Sequence, residues 1–139
     1  MEQKTVYLVQ ESFKKVLPIA DTAVEIFYDK LFIIDPNLKH LFPKNEQLMH
    51  AQRNKLRDML ASAVNGLSNL DALVPILQGL GRRHIDYKVE KAHYDSVGLA
   101  LLQALETGLG DEFTPEIKDA WAEVYGVMAS VMAEAAYEK

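Results

Sequence analysis

Cysteine is absent from this sequence of 139 residues. Without thiols the chain cannot form disulfides, thiolate zinc sites or the thioether links that attach a cofactor through a C-x-x-C-H motif. The absence is also compatible with a reducing compartment, and we expect the cytoplasm. Proline and glycine are sparse, with 5 and 7 residues, and no stretch has the repeats or low complexity of a linker. We therefore predict a single domain over residues 1–139, a length that suits one hydrophobic core.

Long apolar runs and a strong charge of either sign are also missing. No run approaches the length of a membrane span, and residues 1–5 lack the basic and apolar regions with which a signal peptide begins. The net charge is −5, so the chain as a whole does not attract nucleic acid or anionic lipid. We therefore expect no nucleic acid and no membrane among its partners.

Apolar residues make up 49% of the chain and recur at helical spacing throughout. They predict helices over about 5–17, 20–33, 46–66 and 91–109, one from 115 onward, one through position 84 and a short turn of helix near position 36. Thr5, Asn69 and Thr114 are the candidate N-caps, and Leu48 and Ile76 are placed on inward faces. No segment alternates like a strand. The predicted class is all-α, with about seven helices joined by short links.

Three of these helices each have one polar side chain on an otherwise apolar face: Tyr28, Gln52 and His84. A lone inward histidine is more often a core residue bonded to a backbone carbonyl than a ligand. Gln52 alone fits equally well at the edge of its helix, bonded to water. Three such positions together, with the corner Phe42–Pro43 between the first two, favour a shared buried guest that makes polar contacts.

The motifs of common catalytic sites are missing. None of the histidines, His40, His50, His84 and His93, forms the H-E-x-x-H pair of a zinc hydrolase, and no G-x-S-x-G, P-loop or G-x-G-x-x-G is present. His50 precedes Gln52 by two positions, so it points roughly 200° away around the helix and is not expected to be a ligand. A single inward histidine opposed by hydrogen-bond donors fits a haem with one protein ligand and one open position.

Six short motifs follow one another along the chain: Phe27-Tyr28-x-x-Leu31-Phe32, Asp35-Pro36 leading to Leu41-Phe42, Gln52-x-x-x-Leu56, Leu80-Gly-Arg-Arg-His84, Ala92-His-Tyr94-x-x-Val97-Gly98 and Ala120-Trp121-x-x-x-Tyr125-Gly126. Each motif is weak alone. In this order and spacing the sequence resembles a bacterial single-domain globin, of the same type as the globin domain of flavohemoglobins. The resemblance covers nearly the whole chain and implies a globin fold around a haem pocket.

The resemblance also implies a role for each matching residue. His84 would be the proximal iron ligand, with a backbone carbonyl such as that of Leu80 accepting its free N–H. Tyr28 and Gln52 would be the catalytic pair, donating hydrogen bonds to a partly negative diatomic ligand. The other implied cofactor contacts are Phe42 stacked on the haem, Leu56 in the distal pocket, Tyr94 and Val97 on the proximal side, Tyr125 closing the pocket, Val89 and Leu101 as further contacts, and Lys55, Arg83 and His93 near the propionates.

The implied cofactor is haem b (iron protoporphyrin IX), bound non-covalently. The implied function is reversible binding of dioxygen and of other diatomic ligands, including nitric oxide and carbon monoxide. The alternatives are a nitric oxide dioxygenase that makes nitrate, and a gas sensor. Because the sequence ends at Lys139, we expect no fused flavin-binding domain, so an enzyme of this kind would need an external reductase. We expect a monomer or a weak homodimer.

One position departs from the resemblance. In the flavohemoglobin type, a glutamate in the last helix joins the tyrosine that corresponds to Tyr94 in a network with the proximal histidine. Here Ala136 takes that position, and Glu134 is turned away by roughly 200° along the helix. We therefore do not expect the peroxidase-like electronic push that this network supplies.

Overall fold

The computed structural model describes the backbone of residues 2–86 and 91–137 and the side chains of residues 2–82 and 93–135. In these ranges the chain forms six α-helices: α1 (Gln3–Val16), α2 (Ala20–Ile34), α3 (Glu46–Gly66), α4 (Leu70–Asp86), α5 (Lys91–Leu109) and α6 (Pro115–Tyr137). Short 3-10 helices lie at Leu17–Ile19, Pro36–Leu41, Leu67–Asn69 and Gly110–Glu112. No strand occurs in the described ranges, which confirms the all-α class. With Pro36–Leu41 counted as the expected short turn, the helices number seven as predicted.

The helix starts follow from side-chain caps. Asn45 Oδ1 accepts from the backbone N–H groups of Gln47 at 2.8 Å and Leu48 at 3.3 Å, and so begins α3. Thr114 and Asn69 cap α6 and α4 through bonds of 3.3 and 3.4 Å, as predicted. These caps satisfy N–H groups that have no partner inside the helix.

The predicted cap of α1 is wrong. That helix begins at Gln3, so Thr5 lies within its first turns, and its hydroxyl donates to Glu123 Oε2 at 3.1 Å on α6. Two inward placements are also wrong, because Leu48 is 60% exposed and Ile76 is 54% exposed. Both lie within the first two turns of their helices, and helical spacing alone does not show where along its length a helix meets its neighbours.

The core is closed by Trp121 of α6, which is fully buried together with Val9 of α1 and Val124. The indole Nε1 donates to Ser12 Oγ at 2.8 Å, and the Ser12 hydroxyl in turn donates to the carbonyl of Leu8 at 2.7 Å. Each buried polar atom of this chain of bonds therefore has a partner. The bonds tie α1 to α6 across the sequence.

Helix pairs fix the rest of the architecture. α2 packs mainly on α5, and α4 packs mainly on α6. The α4–α6 crossing is very close, since a Cβ added to Gly81 would lie 2.2 Å from the carbonyl oxygen of Met132. α3 contacts α2 more than it contacts any other element. α3 and α4 are joined by a short turn, but the main neighbour of α3 is α2 whereas that of α4 is α6.

One stretch of the chain bears on the expectation that no apolar run is as long as a membrane span. Within Glu46–Arg82 an 18-residue window with a mean hydropathy of 1.3 is apolar enough to cross a membrane, by length and composition only. The statement that no run approaches that length is therefore wrong by this measure. A single window of this kind is weak evidence for a span. This stretch contains the 3-10 turn Leu67–Asn69 between α3 and α4, although only 28% of the window is buried inside the protein.

Candidate functional site

Tyr28 lies in an aromatic corner formed by α2 and the segment that follows it, and it is only 4% exposed. Its ring centroid is 5.0 Å from that of Phe27, 5.9 Å from Phe32 and 5.4 Å from Phe42. The rings of Phe27 and Phe42 meet it nearly edge to face, at 79° and 73°, which is a favoured geometry for aromatic pairs. These contacts hold the phenol ring in one orientation.

Gln52 reaches this phenol from α3. Its Nε2 donates to Tyr28 Oη at 3.3 Å, so the two helices meet at a hydrogen bond between side chains. A phenol oxygen can accept one bond while its own O–H proton donates another. Among the residues whose side chains are described, none accepts that proton within hydrogen-bonding distance. As far as the described side chains are concerned, the buried hydroxyl is therefore available to donate to a ligand.

The protonation state of Tyr28 suits this role. Burial raises the pKa of the phenol above its ordinary value of 10.0, although the hydrogen bond from Gln52 and the charge of Arg53 act in the opposite direction. A raised pKa keeps the hydroxyl protonated at neutral pH. Tyr28 can thus act as a hydrogen-bond donor, and it does not present a phenolate to a bound ligand.

Apolar surface on several elements is only partly covered by protein atoms. Phe42, Leu56, Leu80 and Val97 pack against the core but remain partly exposed, and they come from the corner after Pro36–Leu41, α3, α4 and α5. Leu101, one turn further along α5, is 8% exposed. Apolar walls with a few polar groups are typical of small-molecule and cofactor sites.

Tyr125 joins α6 to α5. Its hydroxyl donates to the backbone carbonyl of Tyr94 at 2.6 Å, and its ring lies so close to Gly98 that an added Cβ would be 2.7 Å from Tyr125 Cε2. Burial raises the pKa of Tyr125, with a smaller contribution from Tyr94 and Asp95. Tyr94 itself is 7% exposed. The close approach of the Tyr125 ring explains why position 98 is a glycine. The same contacts hold the segment of α5 that contains Tyr94 and Val97, two of the implied cofactor contacts.

The predicted iron ligand lies in the last turns of α4. The side chains of Arg83 and His84 and the whole of Val89 are outside the described residues, so the roles assigned to them stay predictions. The described part of α4 has the expected register, since Leu73 is 4% and Leu77 is 2% exposed. Position 84 continues that stripe at helical spacing.

The remaining predicted contacts lie nearer the surface. Lys55 is exposed on α3, and His93 is partly buried near the start of α5. His50 is exposed, while Gln52 on the same helix faces Tyr28, which confirms the helix register used to exclude His50. Arg53, which directly follows Gln52, was not singled out from the sequence, and its side chain forms an ion pair with Glu46 of the same helix at 2.6 Å.

The class of protein follows from the fold. A family model described as Globin matches residues 25–132 of the chain. A crystal structure of a hexacoordinated haem protein from an anhydrobiotic tardigrade, at pH 4, superposes with a TM-score of 0.89 at 21% identity, covering 99% of this chain and 96% of that one. These findings confirm the predicted globin fold.

The relatives in sequence are flavohemoproteins. The chain is 30% identical over 129 residues to the flavohemoprotein of Bacillus subtilis and 29% identical over 131 residues to that of Rhodopirellula baltica. The matches cover 93% and 94% of this chain but only 32% of each relative, so the chain spans about a third of their length. The protein belongs to the globin family, and its similarity to the globin portion of flavohemoproteins confirms the resemblance deduced from the motifs.

Proposed function

We propose that the chain binds haem b non-covalently between α3 and α4 and that it reversibly binds dioxygen there. The observation that supports this most directly is the Tyr28 hydroxyl. It is buried in an aromatic corner, it is protonated, and its proton has no acceptor among the described side chains. A buried donor without a partner costs free energy, and a diatomic ligand that accepts a hydrogen bond removes that cost.

The described residues fit a haem. The partly exposed apolar side chains of Phe42, Leu56, Leu80 and Val97 offer the walls that a flat apolar macrocycle needs. We assign His84 as the iron ligand, because a neutral imidazole is a common ligand of haem iron and no cysteine competes with it. When bound, the haem supplies an iron atom with one open position for a diatomic ligand.

The protein's own residues then decide which ligand is held. Tyr28 donates a hydrogen bond toward the open position, and this bond is stronger for a ligand that becomes partly negative, as dioxygen does, than for carbon monoxide. Gln52 donates to the Tyr28 oxygen and keeps the phenol in place. The aromatic and apolar side chains around them limit the access of water. Together these residues favour slow release of dioxygen.

The second candidate is oxidation of nitric oxide to nitrate, in which one nitric oxide, one dioxygen and one electron give one nitrate ion. The similarity to part of the flavohemoproteins keeps this activity open, since their name indicates a flavin in addition to haem. We propose that the electron would come from a separate reductase in the cytoplasm. A sensing role would need a partner that receives the signal.

Absorption spectra of two histidine variants test the haem site. His84→Ala should lose haem on purification or lose the spectrum of histidine-ligated ferrous haem, because its ligand is gone. His50→Ala is the matched control and should be unchanged, because His50 is exposed on the opposite side of α3 from Gln52. A normal ferrous spectrum and full haem content in His84→Ala would overturn the assignment.

Stopped-flow mixing separates the two functions. The oxygenated protein is mixed with nitric oxide, and the amount of nitrate formed per protein molecule is then measured with and without a reductant. Nitrate formed in one turnover only, with slow return to the ferrous form, supports oxygen binding. Sustained formation of nitrate in the presence of a reductase, at a rate comparable to the turnover of the reductase, would instead support the enzymatic function and contradict oxygen binding as the main function.

A further inference from the structure

Phe32 lies on α2 one helical turn after Tyr28, on the same face of the helix. Its ring centroid is 5.9 Å from that of Tyr28, with an interplanar angle of 34°, and 5.5 Å from that of Phe42, with an angle of 64°. The rings of Tyr28 and Phe42 are themselves 5.4 Å apart. The three rings therefore form a closed triangle in which each contacts the other two, at separations typical of aromatic pairs.

Phe42 enters this triangle from a different element. It follows the 3-10 helix Pro36–Leu41, and its backbone N–H donates to the carbonyl of Lys39 at 3.2 Å. Tyr28 and Phe32 are both on α2, so the helix backbone fixes where one stands relative to the other. Phe32 thus adds a second ring contact between α2 and Phe42, beside the direct contact of Tyr28 with Phe42.

The surroundings of Phe32 differ from those of a residue that only fills the core. Its ring remains partly exposed, and the Nζ of the exposed side chain of Lys39 lies over it, 5.8 Å from the centroid. A cation is attracted to the face of an aromatic ring. An aliphatic side chain could cover the same apolar surface, but it could not make these two ring contacts or the contact with the cation. The aromatic character of Phe32 is therefore what its contacts depend on.

We propose that Phe32 is a positioning residue: it holds the donor Tyr28 and the implied haem contact Phe42 in one arrangement, and thereby directs the Tyr28 hydroxyl at the open position of the iron. This inference rests on the proposed function. A hydrogen bond weakens when the donor tilts away from its acceptor, so the orientation of the phenol ring matters for the ligand. Dioxygen depends on this bond more than carbon monoxide does, because it is the more negative ligand.

The experiment compares the dissociation of both gases from the haem-containing protein and its variants. Phe32→Leu keeps an apolar side chain and removes the ring. We expect dioxygen to leave about three- to tenfold faster, the range for weakening one hydrogen bond, and carbon monoxide less than about twofold faster. Phe32→Tyr keeps the ring at this partly exposed position, and should return the dioxygen rate to within about twofold of the original.

Phe113→Leu is the matched control. Phe113 is also partly exposed and packs against the core, but it directly follows the 3-10 helix Gly110–Glu112, and none of the ring pairs in the described residues includes it. Its loss should therefore change the dioxygen rate less than about twofold, as expected for a distant and independent site. An acceleration equal to that of Phe32→Leu would overturn the assignment, since the loss of any ring would then loosen the site.

A double-mutant cycle separates positioning from a merely structural role. If Phe32 acts through the Tyr28 hydroxyl, Phe32→Leu should change dioxygen release less than about twofold in a Tyr28→Phe background, because no hydroxyl is left to direct. A structural role would give the same acceleration in both backgrounds. Effects of the two substitutions that simply multiply would therefore refute the proposal.

The C–O stretching frequency of bound carbon monoxide gives a further readout, since a donor that points at the ligand lowers it. Phe32→Leu should raise that frequency, and Phe32→Tyr should restore it. If Phe32→Leu does not fold or does not retain haem, Phe32→Met replaces it in each comparison, because a flexible apolar side chain can fill the space without a ring. An unchanged frequency and an unchanged dioxygen rate in whichever variant folds would contradict the positioning role.

The single variant Tyr28→Phe distinguishes this proposal from the function on which it rests. If Tyr28→Phe speeds dioxygen release and Phe32→Leu does not, the positioning role fails and oxygen binding stands. If Tyr28→Phe has no effect on dioxygen release, the proposed donor itself is wrong, and the role of Phe32 fails with it.

Discussion

The hydroxyl of Tyr28 accepts a hydrogen bond from Gln52, and no side chain in the described part of the chain accepts its own proton. This differs from the role assigned to Gln52 by resemblance, in which both side chains donate directly to the ligand. In the structure the amide N–H is directed to the phenol oxygen, so under the proposed function a bound ligand would meet the phenol as the primary donor. Gln52 thus orients the Tyr28 hydroxyl, and the Tyr28 hydroxyl would in turn donate to the ligand.

Replacing Tyr28 by phenylalanine removes this donor and leaves the ring contacts with Phe27 and Phe42 in place. A hydrogen bond to a partly charged acceptor contributes about 1.5–3 kcal/mol, so we expect dioxygen to dissociate about ten- to a hundredfold faster. Carbon monoxide should dissociate at nearly the original rate, because it carries less negative charge. Flash photolysis and stopped-flow measurements of both gases check this. Equal changes for the two gases would instead indicate that Tyr28 only fills space.

At the scale of the helices, the sequence predicted the order of the helices and their buried faces better than it predicted the contacts between helices. The stripes of α2 and α4 placed Tyr28, Leu73 and Leu77 inside, because apolar spacing records which face is buried. The stripes could not place Leu48 or Ile76, since periodicity does not tell where along its length a helix meets its neighbours. Ion pairs between helices, such as that of Arg57, depend on crossing geometry and leave no local pattern.

The crossing of α4 and α6 depends on a residue without a side chain. A Cβ at Gly81 would lie 2.2 Å from the Met132 carbonyl oxygen and 2.7 Å from its carbonyl carbon. Backbone atoms cannot move aside as the end of a side chain does. Since His84 follows Gly81 by less than one turn, the crossing also determines where the backbone of the implied iron ligand lies relative to α6.

We therefore expect Gly81→Ala to destabilise the protein by about 1–3 kcal/mol, the usual cost of overpacking, in spite of the better helix propensity of alanine. Haem retention should fall in the same variant, because the end of α4 must move. Gly126→Ala on α6 is the matched control: nothing lies within 4 Å of its added Cβ, so it should be neutral or stabilise by up to about 1 kcal/mol. Urea denaturation of both variants measures the free energy of unfolding. Equal stability of the two would show that α4 and α6 can separate without cost.

At the scale of the whole molecule, packing is uneven. The fully buried side chains include Val9, Trp121 and Val124, which join α1 to α6. By contrast, Phe42, Leu56, Leu80 and Val97 stay partly exposed. Exposed apolar surface lowers stability by about 25 cal/mol per Å² relative to burial. A flat apolar cofactor that covers these side chains should therefore stabilise the region of α3, α4 and α5 more than the α1–α6 core.

Removal of haem should accordingly lower the unfolding temperature. A ligand at a hundred times its Kd stabilises the folded state by about 2.7 kcal/mol, which for a chain of this size is a shift of about 10 °C. Hydrogen exchange should show the gain in protection on α3 and α4, with little change around Trp121. In His84→Ala the shift should shrink, since the iron ligand is lost, whereas in His50→Ala it should persist. A haem-free protein with the same unfolding temperature and the same exchange pattern would mean that haem does not bind between α3 and α4, because burying that apolar surface cannot leave stability unchanged.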